Sequence, residues 1–395
     1  SARGYRGKRT MSRHCIMILG AGGRVGMQIA AEFLRLGQDL VLLDILAQSL
    51  LEQKAGRLRN DAYLATGACA SQVRAYGGVD ALDQARITDI LAAESPNLVI
   101  NYAIPITWDA TKRLPNYAQI SAAGLGAFTP IQVVTPLIVG RAIADAGIDA
   151  HYMVGNLPDI TVPVITGIAA AGGVKQPACG AGNVGLNQVA FRRQVAQELD
   201  VDFERVGVAL VSHHVHWVAP REPGYSNEAP FLARVSLDGN DISSTFDDLR
   251  ALMNRGVVQH YETAAEFSST TGILASRVAR ALLDDSGAPH YLHAPAPNGL
   301  PGGYPLCISE GEVHLDLPDD WQPGSAVAAM EACHALDGVQ SIDADGSVRF
   351  TEMARGILSE ELSFTLPERM LPADIEALAR EQIGALQRVF ENQTT

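Results

Sequence analysis

From residue 14 onward, short unbroken apolar runs alternate with longer stretches whose apolar residues recur every three or four positions. Cys15–Leu19 (CIMIL), Leu40–Leu43, Asn97–Ile100 (NLVI) and Ala150–Val154 are runs of the first kind, which is how strands buried on both faces read. Gln28–Leu36, stopped by Gly37, and Pro136–Ala146 are of the second kind and predict helices. Strands and helices in alternation predict a parallel sheet covered on both faces. Beyond Asn156 the pattern loosens. A Gly/Ala-rich stretch, Gly167–Gly185, leads to a helix near Gln188–Leu199, a strand at Val206–Val211, and helices near Ser243–Arg255 and Gly272–Leu283. Alternating strands follow around Tyr304–Leu317, and Ala373–Phe390 carries a helical apolar stripe to the end. Residues 1–10 are basic and without periodicity, so they read as a tail ahead of Met11.

Composition narrows the class. Hydrophobic residues make up 47% and charged residues 19% of the 395, which excludes disorder as the general state. The net charge of −14 repels phosphate backbones and anionic lipid headgroups, so neither nucleic acid nor membrane is expected as a partner. Five scattered cysteines form no CxxC pair, as expected of a reducing, cytoplasmic compartment. No apolar run reads as a membrane span of roughly 18 residues.

Between the first strand and the first helix stands Gly20-Ala-Gly22-Gly23-Arg24-Val25-Gly26. Glycines there allow a tight turn, let the backbone approach a pyrophosphate, and bring helix and sheet close. The helix N-terminus offers unpaired N–H groups to the phosphates. Asp44 ends the next strand, where an acid binds the adenosine ribose hydroxyls and repels a 2′-phosphate. The cofactor expected is therefore NAD rather than NADP. The fold class expected is α/β: an N-terminal Rossmann-type doubly wound parallel sheet over residues 11–155, and a C-terminal α+β substrate domain over 156–395.

Further motifs follow in order. They are Val99–Ala103 (VINYA), Gly155–Asp159 (GNLPD), Leu186–Arg192 (LNQVAFR), Ser212–Pro220 (SHHVHWVAP) and Ser269–Gly272 (STTG). Over residues 14–320 this order resembles the superfamily of lactate/malate dehydrogenases and NAD-dependent family-4 glycosidases. The resemblance implies that Gly20, Gly22, Gly23, Arg24, Val25, Gly26, Asp44, Ala103 and Asn156 bind the cofactor. It places His214 as the general acid/base, with Asn187 where the carboxylate that orients it would stand. An amide supplies no negative charge, so the imidazole's working pKa is expected below that of carboxylate-paired relatives. Ala190 stands where the dehydrogenases carry the arginine that grips a 2-hydroxy acid. Arg113 falls in the loop that carries a substrate-polarising arginine.

Gly124–Pro130 and the spacing of His213–Trp217 lean towards the glycosidase branch, whose divalent metal is held by a cysteine and the motif's histidine. Gly182 occupies the cysteine position and Cys179 lies three residues early, so no metal is expected. Strand alternation would put His214 and His216 on one face and His213 on the other. The cluster reads as catalytic, as metal-ligating, or as structural. Together these features describe an NAD-dependent oxidoreductase acting on a secondary alcohol or ketone, a polyol, sugar or modified sugar, with His213, His216 and Arg113 touching that small-molecule substrate. The alternatives are redox-assisted elimination or hydrolysis with bound NAD, and an NAD-binding scaffold or sensor without turnover. The superfamily's subunits pair, so a homodimer or homotetramer is expected.

Overall fold

The structure is a computed structural model that describes residues 12–222, 225–259 and 264–391. The expected tail over residues 1–10 lies outside them. The first half runs β1 (Cys15–Leu19), α1 (Arg24–Arg35), β2 (Asp39–Asp44), α2 (Gln48–Thr66), β3 (Val73–Gly77), α3 (Gln84–Glu94) and β4 (Leu98–Asn101). Then come two short helices, α4 (Trp108–Thr111) and α5 (Tyr117–Ser121), followed by α6 (Thr129–Ala146), β5 (His151–Val154), α7 (Pro158–Ala169) and β6 (Cys179–Gly180). The six strands form one parallel sheet in the order β3-β2-β1-β4-β5-β6.

The unbroken apolar runs have a simple cause. Successive side chains of a strand point to opposite faces, and both faces here are covered. Met17, Leu19, Val41, Leu43 and Val99 pack with α3 and α6 on one side. Ile16, Ile18, Leu40, Leu42, Leu98 and Ile100 pack with α1, α2 and a later helix on the other.

The second half contains α8 (Asn183–Leu199), β7 (Val206–Val211), α9 (Val215–Val218), β8 (Leu232–Leu237), β9 (Asn240–Asp241), α10 (Leu249–Gln259) and α11 (Ala264–Leu283). It continues with β10 (His290–Pro295), β11 (Gly303–Ser309) and β12 (Glu312–Leu315). The strands pair antiparallel in two three-stranded sheets, β7-β8-β9 and β10-β11-β12. The chain ends in α12 (Pro323–Leu336), β13 (Val339–Ile342), β14 (Val348–Phe350), α13 (Glu352–Leu362), β15 (Arg369–Met370) and α14 (Ile375–Glu391).

Three expectations change. The sheet has six strands, not four: β3 is a half-buried edge strand with Arg74 and Tyr76 in it, and β6 is two residues long, so neither reads as an apolar run. β6 also carries the first sheet past residue 155. The C-terminal segment packs back on that sheet's α6, since Val339, Val348, Phe350, Ile375 and Leu386 share a core with Met17 and Leu19. Finally, Leu125–Ala146 is long and apolar enough to cross a membrane, but an 18-residue window of it, at mean hydropathy 1.4, is 89% buried.

Candidate active site

The glycine loop joins β1 to α1 as the sequence implies. Gly20 has φ +74°, and a Cβ there would lie 2.8 Å from Ala103 N, so only glycine fits. A Cβ on Gly26 would meet the Gly20 carbonyl oxygen at 2.5 Å, which is how closely α1 approaches the loop. Gly23 caps α1 without a side-chain hydrogen bond, leaving the helix N-terminus to an outside anion. Asp44 is anchored by two backbone donors, Gly22 N–H to Oδ2 at 2.7 Å and Leu46 N–H to Oδ1 at 3.0 Å. A cavity of about 350 Å³ opens on Gly20, Gly22, Gly23, Asp44 and Ala103.

A second cavity, of about 510 Å³, lies at the C-terminal ends of β4 and β5. Tyr102 and Ile104 line both cavities, so the two adjoin across this segment. Val25 faces the second cavity, beside Thr271 of the STTG motif. Asn156 lines it with its amide tied down: Nδ2 donates to Ala103 O at 2.8 Å, and Oδ1 accepts from Asn101 Nδ2 at 3.1 Å. Trp108, Trp217 and Phe267 form aromatic walls, and Lys112 and Glu222 add a charged pair. Tyr117 Oη donates to Glu222 Oε2 at 3.0 Å. Burial and Glu222 push this phenol's pKa upward.

The cations on the wall are Lys112 and Arg221, the latter stacked 4.5 Å over the Trp217 ring, whereas Arg113 does not line the cavity. The Arg24 guanidinium pairs with Asp109, on the wall of the second cavity, and lies 3.3 Å from Ser268 Oγ.

The histidine segment departs furthest from its expected form. β7 ends at Val211, and Ser212 bridges Gly303 of β11. The chain then turns into α9, so strand alternation does not apply to the three histidines. His213, His214 and His216 are all buried, and none lines either cavity. His216 is used structurally, with Nε2 3.1 Å from Ala229 O and Nδ1 accepting from His213 N–H at 3.0 Å. Burial lowers its pKa to about 4.

Asn187 does not orient His214. Its amide reaches Ser212 Oγ at 3.4 Å instead. The partners of His214 are carboxylates: Asp337 Oδ2 lies 2.8 Å from Nε2, and Asp159 Oδ2 lies 3.5 Å from Nδ1. Burial works against a charged imidazole, but these two acids outweigh it and raise the pKa of His214. The expectation of an amide-paired imidazole gives way to one paired with carboxylates.

No family model matches the sequence, and no curated protein matches it by sequence. Solved structures do match in shape. The lactate dehydrogenase of Cryptosporidium parvum superposes with a TM-score of 0.55 at 19% identity, covering 82% of this chain and 96% of that one. The malate dehydrogenase of the same organism gives 0.53 at 17%, covering 81% and 96%. That of Aeropyrum pernix gives 0.52 at 15%, covering 81% and 97%. The chain has the lactate/malate dehydrogenase fold.

The glycine loop, Asp44 and Ala103 line the first cavity, and Asn156 lines the second. Ala190 is buried against Trp217 and Val257, so no guanidinium enters the cavity from that position. Sequence reasoning missed Asp159, Asp337, Lys112 and Glu222. Asp159 lay inside the quoted GNLPD motif, and its burial is the signal only the fold reveals. Asp337 falls beyond residue 320, where the resemblance ends.

Proposed function

We propose that this chain is an NAD-dependent oxidoreductase, transferring a hydride between NAD and a secondary alcohol or ketone of a neutral polyol, sugar or modified sugar. The observation that carries the reading is the pair of adjoining cavities, one on the glycine loop and Asp44, the other with aromatic and charged walls. The fold supports it as well, since one similar structure is a lactate dehydrogenase complexed with lactic acid and nicotinamide adenine dinucleotide. The residues fit the cofactor: Gly20 and Gly26 permit the tight turn and the close approach of α1 to it, and Gly22, Gly23 and Asp44 face one cavity.

The loop and the α1 N-terminus would hold the pyrophosphate, Asp44 the adenosine ribose, and Asn156 the inner edge of the cleft. When bound, NAD supplies the carbon that takes or returns the hydride. Flat aromatic walls suit the C–H face of a sugar, Ala190 removes one arginine that would grip a carboxylate, and Arg221 and Lys112 on the wall are donors for substrate oxygens. A carbinol releases hydride readily only if a base within hydrogen-bond reach takes its proton. His214 lies off the cavity wall, so we assign that step to Glu222, which is on it. Incubating the protein with NAD and a panel of polyols and sugars, and following NADH absorbance, tests the reading. NADH formation on a neutral polyhydroxy substrate supports it, and absence of NAD binding in titration calorimetry overturns it.

A further inference from the structure

Behind the cavity wall the chain buries more donor atoms than it satisfies. Asp159, on the first turn of α7, meets His213 and His214 where β7 turns into α9. All three are at most 1% exposed, and their ligand atoms lie within 4.8 Å of one another. Both oxygens of Asp159, Nε2 of His213 and both ring nitrogens of His214 lack an aligned hydrogen bond. Buried carboxylates without donors are strongly disfavoured, and such orphaned atoms in a native interior point to a missing ion or water.

Beside them, Asp337 Oδ2 lies 2.8 Å from His214 Nε2 and also lacks an aligned hydrogen bond. Neutral imidazole is the form that coordinates a metal.

We propose that Asp159, His213 and His214 hold one divalent transition-metal ion of the zinc class, with Asp337 as the outer carboxylate that orients His214. Two imidazole nitrogens and a carboxylate oxygen are donors that zinc takes, at about 2.0–2.2 Å, and three protein ligands leave a fourth position open. His214 would ligate through Nδ1 and turn Nε2–H towards Asp337, 2.8 Å away, in a carboxylate–histidine–metal arrangement. His213 would ligate through Nε2. Its proton then moves to Nδ1, and the long 3.3 Å contact from Val215 N–H is given up for the metal bond. The His334 ring packs edge-on against His213 at 5.2 Å and closes the far side. Neither Asp159 nor His213 belongs to the cysteine-based set implied by resemblance. The missing thiolate at Gly182 therefore does not remove the site, because the fold brings a carboxylate in its place. Pro158, Trp217 and Val218 belong to both this cluster's segments and the cavity wall, so the ion would sit one layer behind the cleft.

The test is metal content rather than turnover, so it stands apart from the oxidoreductase reading. The full-length chain is expressed in minimal medium supplemented with zinc or cobalt, desalted, and measured by plasma mass spectrometry. About one ion per chain is expected, with a cobalt d–d spectrum of low-coordinate N/O type and a higher Tm than protein grown without added metal. His213→Gln and Asp159→Asn should lose the ion, and Asp337→Asn should weaken retention about 10–100-fold. Folded wild-type protein that carries no ion from either medium overturns the proposal, whatever the variants do. So does an ion whose cobalt spectrum survives both His213→Gln and Asp159→Asn.

Discussion

Asp337, at the C-terminal end of α12, lies 2.8 Å from His214, just after β7, and both side chains are fully buried. The same carboxylate accepts the Leu125 N–H at 2.9 Å, and Leu125 lines the second cavity. One residue therefore ties the C-terminal segment to the histidine turn and to the cleft wall. Removing one member of a buried charged pair leaves the other uncompensated, at a cost of about 3–5 kcal/mol. Asp337→Ala should lower unfolding free energy by about that amount in urea titrations. A loss under about 1 kcal/mol would show that the contact carries little.

Asp44 should set cofactor choice. A carboxylate at the ribose end repels a 2′-phosphate, so Asp44→Ser should raise NADP affinity relative to NAD. Because Asp44 also anchors Gly22 N–H and Leu46 N–H, NAD affinity itself should fall. Titration calorimetry with both cofactors decides. Tighter binding of NADP by the wild type would contradict the assignment.

Glu222→Gln keeps the shape of the Lys112 and Tyr117 contacts but removes the base. Turnover should drop about 10²–10⁴-fold while NAD affinity stays unchanged. Retained turnover would return the proton-transfer step to another group.

His293 offers a pH test distant from the cleft. It is buried, its Nε2 accepts the Leu210 N–H at 3.1 Å, and burial depresses its pKa to about 3. The unfolded chain takes up the proton near 6.5 while the folded chain does not, so stability falls as pH drops below about 6.5. Between pH 6.5 and 5 this group alone should remove about 2 kcal/mol. His293→Gln should make the acid limb shallower by that amount in urea titrations at the two pH values. An unchanged limb would mean that His293 is charged in the folded state.

Arg24 and Asp109 form an exposed ion pair, with side-chain exposures of 57% and 48%. Such pairs contribute about 0–1 kcal/mol, so Asp109→Asn should leave Tm nearly unchanged. Its effect should fall on the loop that follows β4, as faster NAD dissociation in stopped-flow fluorescence. A large drop in Tm with unaltered dissociation would reverse that assignment.

What the sequence determined by itself was local: strands buried on both faces, which show as unbroken apolar runs, and a glycine turn followed by an acid at the next strand end. Both signals arise from a handful of adjacent residues, because side-chain alternation and turn sterics act over short range. The tertiary structure decided the rest. β3 was hidden because an edge strand is half-exposed and mixes polar with apolar residues. The bridge from Ser212 to Gly303 ends β7, so the histidines beyond it follow a helical turn rather than strand alternation. Lys112 instead of Arg113 faces the cleft because of the way one loop turns, which no periodicity records. The acids facing His214 come from α7 and from the end of α12, and their charge shows in no window around the histidine. Only the tertiary fold, which sets α7 and the end of α12 against the turn after β7, brings them together.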